Sequence, residues 1–358
     1  VIANQLDGTY PKPSPAEMSA PPAPSGPVPD LSFYDELAPQ LSGGKDSALM
    51  LWLLMGAARS AGLVHRVRTY HASLGLLDWP TVSFDGRRWL GAAELAAAQS
   101  AFFGVPEGLH VEATRTKRGA DGQRTPHWLL TEMAAYGRFP RGGSRYCTKS
   151  AKDSVISAVW TPTVTDRSRE LGRPYRILKI MGMRRDESRS RSLLPVFRTV
   201  VDNRARRVDE WLPALEWSTP AVKEWCESYP IARHWTYDSY PGAGDWAGTS
   251  RCSCSFCVFA SRRDLLLSVG RRPRLAALYA EVEAVRGDTF TPRLRLHDLI
   301  HQVERGDAPD PGLVCADDSP AFDALVRQVR AALVLPPRKP VDRSRDAALS
   351  CTQCDGCM

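Results

Sequence analysis

Apolar residues recur along the chain in two rhythms that alternate. Val64–His71, Gly108–Thr114 and Tyr175–Gly182 are short runs rich in β-branched and aromatic residues, and they read as strands. Around them, Ala48–Gly62, Gly91–Phe103, Pro126–Tyr136 and Lys149–Trp160 carry apolar side chains at helical spacing. Strands separated by helices predict a Rossmann-like α/β fold: a parallel sheet with helices on both faces. Beyond about residue 260 the strand signals stop. Arg262–Val269, Pro273–Val285, Leu294–Arg305 and Pro320–Leu335 are amphipathic helix candidates and predict a helical C-terminal layer. There is no internal repeat.

The ends differ from the middle. Residues 1–30 contain eight prolines and almost no large apolar side chains. Such a segment buries too little to offset its chain entropy, so a flexible leader is expected. From Lys339 the chain is polar again and predicts a flexible tail. The expected division is therefore a leader (1–30), an α/β domain (31–250), a cysteine turn with helices (251–338) and a tail (339–358).

Composition narrows the class. The chain has 358 residues, 43% hydrophobic and 24% charged, which excludes a mostly disordered or fibrous protein. No apolar run reaches the roughly 18 residues a membrane span needs. The first residues lack a basic-then-apolar signal pattern, so the expectation is a cytoplasmic protein without a membrane partner. The formal charge is +7, and only eight of the 47 basic residues are lysine. Arginine richness has two readings: GC-rich genome composition, or a surface suited to phosphates and nucleic acid.

Nine cysteines change the picture further. None precedes Cys147; Cys252, Cys254 and Cys257 crowd together, and so do Cys351, Cys354 and Cys357. In a cytosolic chain such clustering points to metal or redox chemistry rather than a disulfide framework. Cys252-x-Cys254-x-x-Cys257 can share a tetrahedral zinc or one face of an iron–sulfur cluster, with Cys226 or Cys147 as the further ligand. Cys147 follows Arg145 and precedes Lys149 near a helix start, a setting that favours a thiolate. It can serve as nucleophile, persulfide carrier or metal ligand, or simply be a buried thiol. The tail cysteines suit metal binding, sulfur relay or delivery of a thiol. His297 and His301 lie one turn apart but lack the Glu of H-E-x-x-H, so a solvated helix face accounts for them.

The most informative hexapeptide is Ser42-Gly43-Gly44-Lys45-Asp46-Ser47, placed just before a helix. Adjacent glycines let backbone N–H groups approach an anion; the helix start and Lys45 add positive charge. The Walker A pattern G-x-x-x-x-G-K-[ST] is absent.

This hexapeptide is the signature of the PP-loop, or adenine-nucleotide α-hydrolase, superfamily of the HUP class. The chain resembles that superfamily's phosphoadenosine phosphosulfate (PAPS) reductase family over roughly residues 32–290. His71-Ala72-Ser73-Leu74-Gly75 with Asp78-Trp79-Pro80 resembles its second-strand segment, and Arg145-Tyr146-Cys147-Thr148-Lys149 its R-x-C-T segment. Gly182-Met183-Arg184-Arg185-Asp186-Glu187-Ser188 with Arg191 is similar to its G-x-R-x-x-E-S-x-x-R element. Trp211-Leu212-Pro213 with Trp217 and Val222 follows in order, and Ser250–Leu265 resembles the phage and actinobacterial branch. There are departures. Pro39 interrupts the segment Tyr34–Gln40 before the loop, which suggests a sheet edge or a frayed strand. Ser73 replaces an acidic residue, and Val82–Trp89 reads as an insertion.

The resemblance implies that the loop holds ATP or PAPS through Ser42, Gly43, Gly44, Lys45, Asp46 and Ser47. Gly182, Arg184, Ser188 and Arg191 would close on the phosphates, and Asp46 and Glu187 would hold Mg²⁺ or orient the arginines. Lys45, Cys147, Arg184 and Glu187 are then the catalytic candidates. Cys252, Cys254, Cys257 and Cys226 are the metal candidates, for a 4Fe-4S cluster or zinc. Three functions stay open. One is ATP α-phosphate cleavage coupled to sulfur transfer, with a cysteine desulfurase as donor and DNA or tRNA as acceptor. Another is thioredoxin-dependent reduction of adenylyl sulfate or PAPS to sulfite, against which the missing E-C-G-[IL]-H tail counts. The third is a non-catalytic nucleotide- and nucleic-acid-binding protein of a phage or defence locus.

Overall fold

The structure, a computed structural model, describes residues 23–119, 122–252 and 254–339. Most of the proline-rich leader and the Cys351, Cys354 and Cys357 tail lie outside the described residues. The first half runs β1 (Glu36–Leu41), α1 (Lys45–Ser60), β2 (Thr69–Ser73), β3 (Val82–Phe84), β4 (Arg87–Trp89), α2 (Ala92–Phe102) and β5 (His110–Thr114). It continues with β6 (Thr116–Arg118), β7 (Arg124–Pro126), α3 (Leu129–Tyr136), α4 (Tyr146–Thr148) and α5 (Ser154–Leu171). Then come β8 (Tyr175–Met181), α6 (Arg189–Ser192), β9 (Phe197–Asp202), β10 (Arg206–Trp211) and α7 (Thr219–Ser228). Four helices end the described chain: α8 (Arg262–Arg271), α9 (Pro273–Arg286), α10 (Leu296–Glu304) and α11 (Pro320–Val334). None of the described helices is long and apolar enough to cross a membrane.

The chain forms two compact units. Of the described residues, the first comprises 23–73, 78–114 and 152–237; the second 74–77, 115–119, 122–151, 238–252 and 254–339. This division is not the sequential one that composition suggests. Residues 115–151, expected in the α/β domain, belong to the helical unit.

The first unit is α/β, built on a mostly parallel six-stranded sheet in the order β5-β2-β1-β8-β10-β9, with only β9 antiparallel. The segment with Pro39 is neither an edge nor frayed: β1 is central and pairs with β8 from Glu36 to Gln40. Its ladder to β2 is interrupted between the Leu37–Val67 bridge and the Gln40–Tyr70 pair, and Pro39, which has no N–H, falls in that gap. Ala38, Tyr70, Ala113, Tyr175, Ile177 and Val208 pack with Val155, Ile156, Trp160 and Val164 of α5 in one buried cluster. Alternation along β1 turns Leu37 and Leu41 to the opposite face, and α1 packs with β1, α2 and α7.

Several local differences have simple causes. Val64–Arg66 is a helical turn, so β2 begins only at Thr69. Val82–Trp89 is a hairpin, β3 with β4, turned by Asp85 and Gly86 at positive φ. The end of the leader is anchored: the Ser25 amide donates to the Pro213 carbonyl at 2.6 Å, and the Ser25 hydroxyl accepts from the Glu216 amide at 2.9 Å.

The second unit is helical. Trp128, Leu130, Met133 and Phe139 join Phe256, Leu265, Tyr279, Phe290, Phe322 and Val329 in one core. Leu74 and Leu77 reach into the same core from the short 74–77 segment. Arg272 is fully buried and neutralised by Asp317; its Nη1 donates to the Ser255 hydroxyl at 2.9 Å. A buried guanidinium is tolerated only when charge and donors are met in this way.

His110 makes the sheet sensitive to acid. Burial, reinforced by the charge of His71, pushes its pKa from 6.5 down to about 4. Above pH 6.5 neither folded nor unfolded His110 is protonated, and its contribution to stability is intact. As pH falls from 6.5 towards 4 only the unfolded chain takes the proton, so that contribution is lost. His110→Asn should flatten the decline of unfolding free energy across this window in denaturant titrations; an unchanged slope would rule His110 out.

Candidate functional site

The sheet order places a reversal between β1 and β8. From β1 the chain moves outward to β2 and β5, then returns on the other side of β1 as β8. In open α/β sheets ligands bind beyond the carboxyl ends of the strands at such a reversal. The two segments that leave those ends are Ser42–Ser47 and Gly182–Arg191, which carry most of the candidate nucleotide residues.

The loop after β1 is built from its own side chains. Ser47 Oγ donates to the Gly44 carbonyl at 2.9 Å and accepts from the Ser42 amide at 3.1 Å. Ser42 Oγ accepts from the Gly44 amide at 3.3 Å. Gly43 adopts φ +73°, and a Cβ there would fall onto the Ala92 carbonyl, so only glycine fits. Gly44 begins α1 with no side-chain cap, leaving the helix start as an anion site. The Lys45 amide meets the Tyr237 hydroxyl at 3.3 Å, and Lys45 Nζ lies 5.1 Å from the Tyr237 ring centre and 2.8 Å from Asp46 Oδ2.

The second segment is braced against the first. Gly182 lets β8 approach α1 so closely that a Cβ would overlap the Asp46 carbonyl. Arg184, only 2% exposed, donates from Nε to Asp46 Oδ1 at 2.7 Å and from Nη1 to Asp186 at 2.6 Å and Thr219 at 2.9 Å. Burial alone would weaken its hold on the proton, but Asp46, Asp186 and Glu187 outweigh that and raise its pKa. Glu187 accepts from the Arg184 amide at 3.1 Å and pairs with Arg191. Ser188 caps the short helix α6 through the Arg191 amide. Arg184 is thus a brace between loops, and Asp46 and Glu187 are the carboxylates that orient Arg184 and Arg191.

Some participants had no local signal in the sequence. Gln99 on α2 donates to the Gly43 carbonyl at 3.4 Å and is completely buried. His71, 3% exposed, contacts the Leu41 carbonyl through Nδ1 at 2.9 Å, and its Nε2 stands 4.0 Å from Asp78. Tyr237 and Thr219 reach the loops from far along the chain. No motif spans such separations.

The thiols fall in both units. Cys226 lies on α7 of the first unit, 2% exposed, and burial pushes its pKa up to about 12 against the pull of Lys45. The Cys252–Cys257 turn and Cys147 belong to the second unit. There burial raises the pKa of the Tyr279 phenol, and Cys147 and Cys254 pack against the same buried core that holds Tyr279. The turn is pinned by the Ser255 amide, which donates to the Leu77 carbonyl at 2.8 Å, and by Arg272 on the Ser255 hydroxyl. An all-sulfur donor set suits a thiophilic centre. Among the described residues, however, no three Cys, His, Asp or Glu side chains form a closed ligand arrangement. Of the two candidates for a further ligand, Cys147 packs against the same core cluster as Cys254, and Cys226 belongs to the first unit. His297 and His301 stand on an exposed face of α10, ring nitrogens 3.0 Å apart.

No protein-family model matches the chain, and no curated protein matches it.

Burial also holds Cys315, pushing its pKa up to about 11. Cys226 and Cys315 should therefore resist iodoacetamide in the native protein at pH 8 and react only after unfolding. Mass spectrometry of the alkylated peptides checks this; rapid native labelling of Cys226 would contradict its placement.

Proposed function

We propose that the chain is a PP-loop enzyme of the PAPS reductase family that cleaves ATP at the α-phosphate and couples the cleavage to sulfur transfer. The observation that carries the reading is the uncapped start of α1, with Lys45 beside it, at the reversal of the sheet. In this reading the phosphates meet the N–H groups of the Gly43–Ser47 turn, those of Gly44 and Lys45 exchanging Ser42 and Tyr237 for phosphate oxygen, and Lys45 Nζ exchanges Asp46 in the same way. Arg191 faces the same end of the sheet, oriented by Glu187. Arg184 positions Asp46 rather than touching substrate. An acceptor oxygen attacks the α-phosphorus, the bond to pyrophosphate breaks, and a sulfur nucleophile then displaces AMP from the activated acceptor. The positive groups stabilise charge that develops on the phosphoryl oxygens and the leaving pyrophosphate.

Mg²⁺ would accompany the nucleotide. An iron–sulfur cluster, or zinc in its place, would be held by Cys147, Cys254 and Cys257 with Cys252, and would supply thiophilic chemistry near Tyr279. An all-sulfur donor set is the chemistry such a centre takes, but the described thiols do not form a closed ligand arrangement, and no step above depends on it.

Lys45→Ala should lower pyrophosphate release from ATP by on the order of 10²–10³-fold, measured at a temperature where circular dichroism shows the variant folded. Unchanged release would overturn the reading. Thioredoxin-dependent sulfite release from PAPS or adenylyl sulfate, without pyrophosphate release from ATP, would favour the reductase instead. Iron, zinc and sulfide analysis after anaerobic purification tests the thiol site separately. Metal content should fall in Cys254→Ala and persist in Cys226→Ala and Cys351→Ala.

A further inference from the structure

The second unit carries a two-stranded ribbon that its core does not explain. All six residues of β6 and β7 are exposed, so the ribbon buries almost nothing on either face. An isolated two-stranded hairpin is at best marginally stable in water. It is tied near its base, where the Gln328 side-chain amide donates to the Pro126 carbonyl at 3.3 Å, and the His127 amide closes the hairpin onto the Arg115 carbonyl at 3.0 Å.

Its charge makes the arrangement more costly. Residues 115–127 contain Arg115, Lys117, Arg118 and Arg124 against a single carboxylate, Asp121. The pairing register sets Arg118 directly opposite Arg124, and Lys117 opposite Thr125. Like charges directly opposite on paired strands are destabilising. Guarding an exposed edge needs a charge on each strand; it does not need two arginines facing each other. Local bonds hold both in place: Arg118 Nε donates to the Gly122 carbonyl at 3.0 Å, and Arg124 Nη1 to Thr116 Oγ1 at 3.1 Å.

The ribbon's base continues the same field. A cavity of about 210 Å³ is lined by Arg115, Thr116, Lys117, His127, Glu132 and Arg338. Its one carboxylate, Glu132, accepts from His127 and Arg338, both at 2.9 Å, and lies 3.6 Å from Arg115. The hydrogen bond from His127, with the charges of Arg115 and Arg338, pulls its pKa down to about 2. Arg115, Lys117 and Arg338 therefore outnumber it, and the cavity stays net positive at neutral pH.

We infer that this ribbon and the cavity at its base bind duplex DNA through its phosphate backbone. A row of opposed cations on an exposed ribbon is relieved by a polyanion that spans both strands. A two-stranded ribbon fits the B-form major groove, whereas the A-form groove of RNA is too deep and narrow for it. The ribbon has no aromatic side chain from Thr116 to Pro126, so it lacks the stacking platform by which single strands are held. The inference rests on charge and exposure in the second unit and stands independently of the nucleotide chemistry proposed above.

Fluorescence anisotropy with a labelled 20-base-pair duplex, measured over a series of salt concentrations, tests it. Lys117→Ala/Arg118→Ala/Arg124→Ala should weaken binding roughly tenfold or more and reduce the slope of log K against log salt by about 2–3. Arg118→Lys/Arg124→Lys, which keeps the charge, should retain most of the affinity and shows that the ribbon still folds. Pyrophosphate release from ATP without acceptor should be unchanged in both variants. An unaltered salt slope in the triple variant would overturn the inference. So would equal or tighter binding of single-stranded DNA, duplex RNA or polyglutamate by the unmodified protein.

Discussion

The contact between β8 and the start of α1 organises the α/β unit. At Gly182 the backbone comes so near Asp46 that no side chain fits between them, and directly beyond it Arg184 closes on the Asp46 carboxylate. The two candidate loops are thereby one mechanical object. A guanidinium this deeply buried is costly to leave without its carboxylates: removing one partner of such a pair typically destabilises by about 3–5 kcal/mol. The arrangement stays rigid because Lys45, Arg184, Asp46 and Asp186 neutralise one another, and because Thr219 ties Asp186 to the start of α7. Lys45 is shielded from solvent and paired with Asp46, a pairing that an incoming anion would exchange in the proposed chemistry.

Much of this was legible in the sequence, for local reasons. Helices α2, α8, α9 and α11 fall within a residue or two of their apolar rhythm, because each begins at a glycine, serine or arginine–proline boundary that any context would respect. The loop at Ser42–Ser47 was legible because Ser42, Gly44 and Ser47 close its turn among themselves, although Gln99, Tyr237 and Arg184 reach it from outside the hexapeptide. Pro39 misled because its cost depends on where a neighbouring ladder is broken, and that is a property of β2, not of β1. The β9–β10 pair gave no signal: β9 is exposed nearly throughout and lacks apolar alternation. Cys226 and Cys147 were both open as a further ligand in the sequence; their places in different units follow from tertiary contacts that no local motif shows. Arg184 read as a phosphate ligand from its motif, but its bracing role depends on Asp186 and Thr219 meeting it from different loops.

The thiol turn and the basic ribbon share a scaffold without sharing residues. The turn is fixed from three directions: by Leu77, by Arg272 and by the aromatic packing of Phe256 on Tyr279, 5.0 Å between ring centres. The ribbon is tied near its base by Gln328. One is a rigid chemical site and the other an exposed, charge-strained surface, and selection can alter either while leaving the helical core intact.

The path of the chain adds a constraint of another kind. It passes between the two units five times, and residues 74–77 are lent to the helical unit from the middle of the α/β one. During synthesis the α/β unit has all its strands and helices once residue 237 has emerged. The helical unit then still lacks α8 to α11, so Leu74, Leu77 and Trp128 must wait with their apolar surface uncovered. A ribosome-bound intermediate of this protein would thus carry a finished sheet while its second core is unfinished, with the kind of apolar surface that chaperones hold.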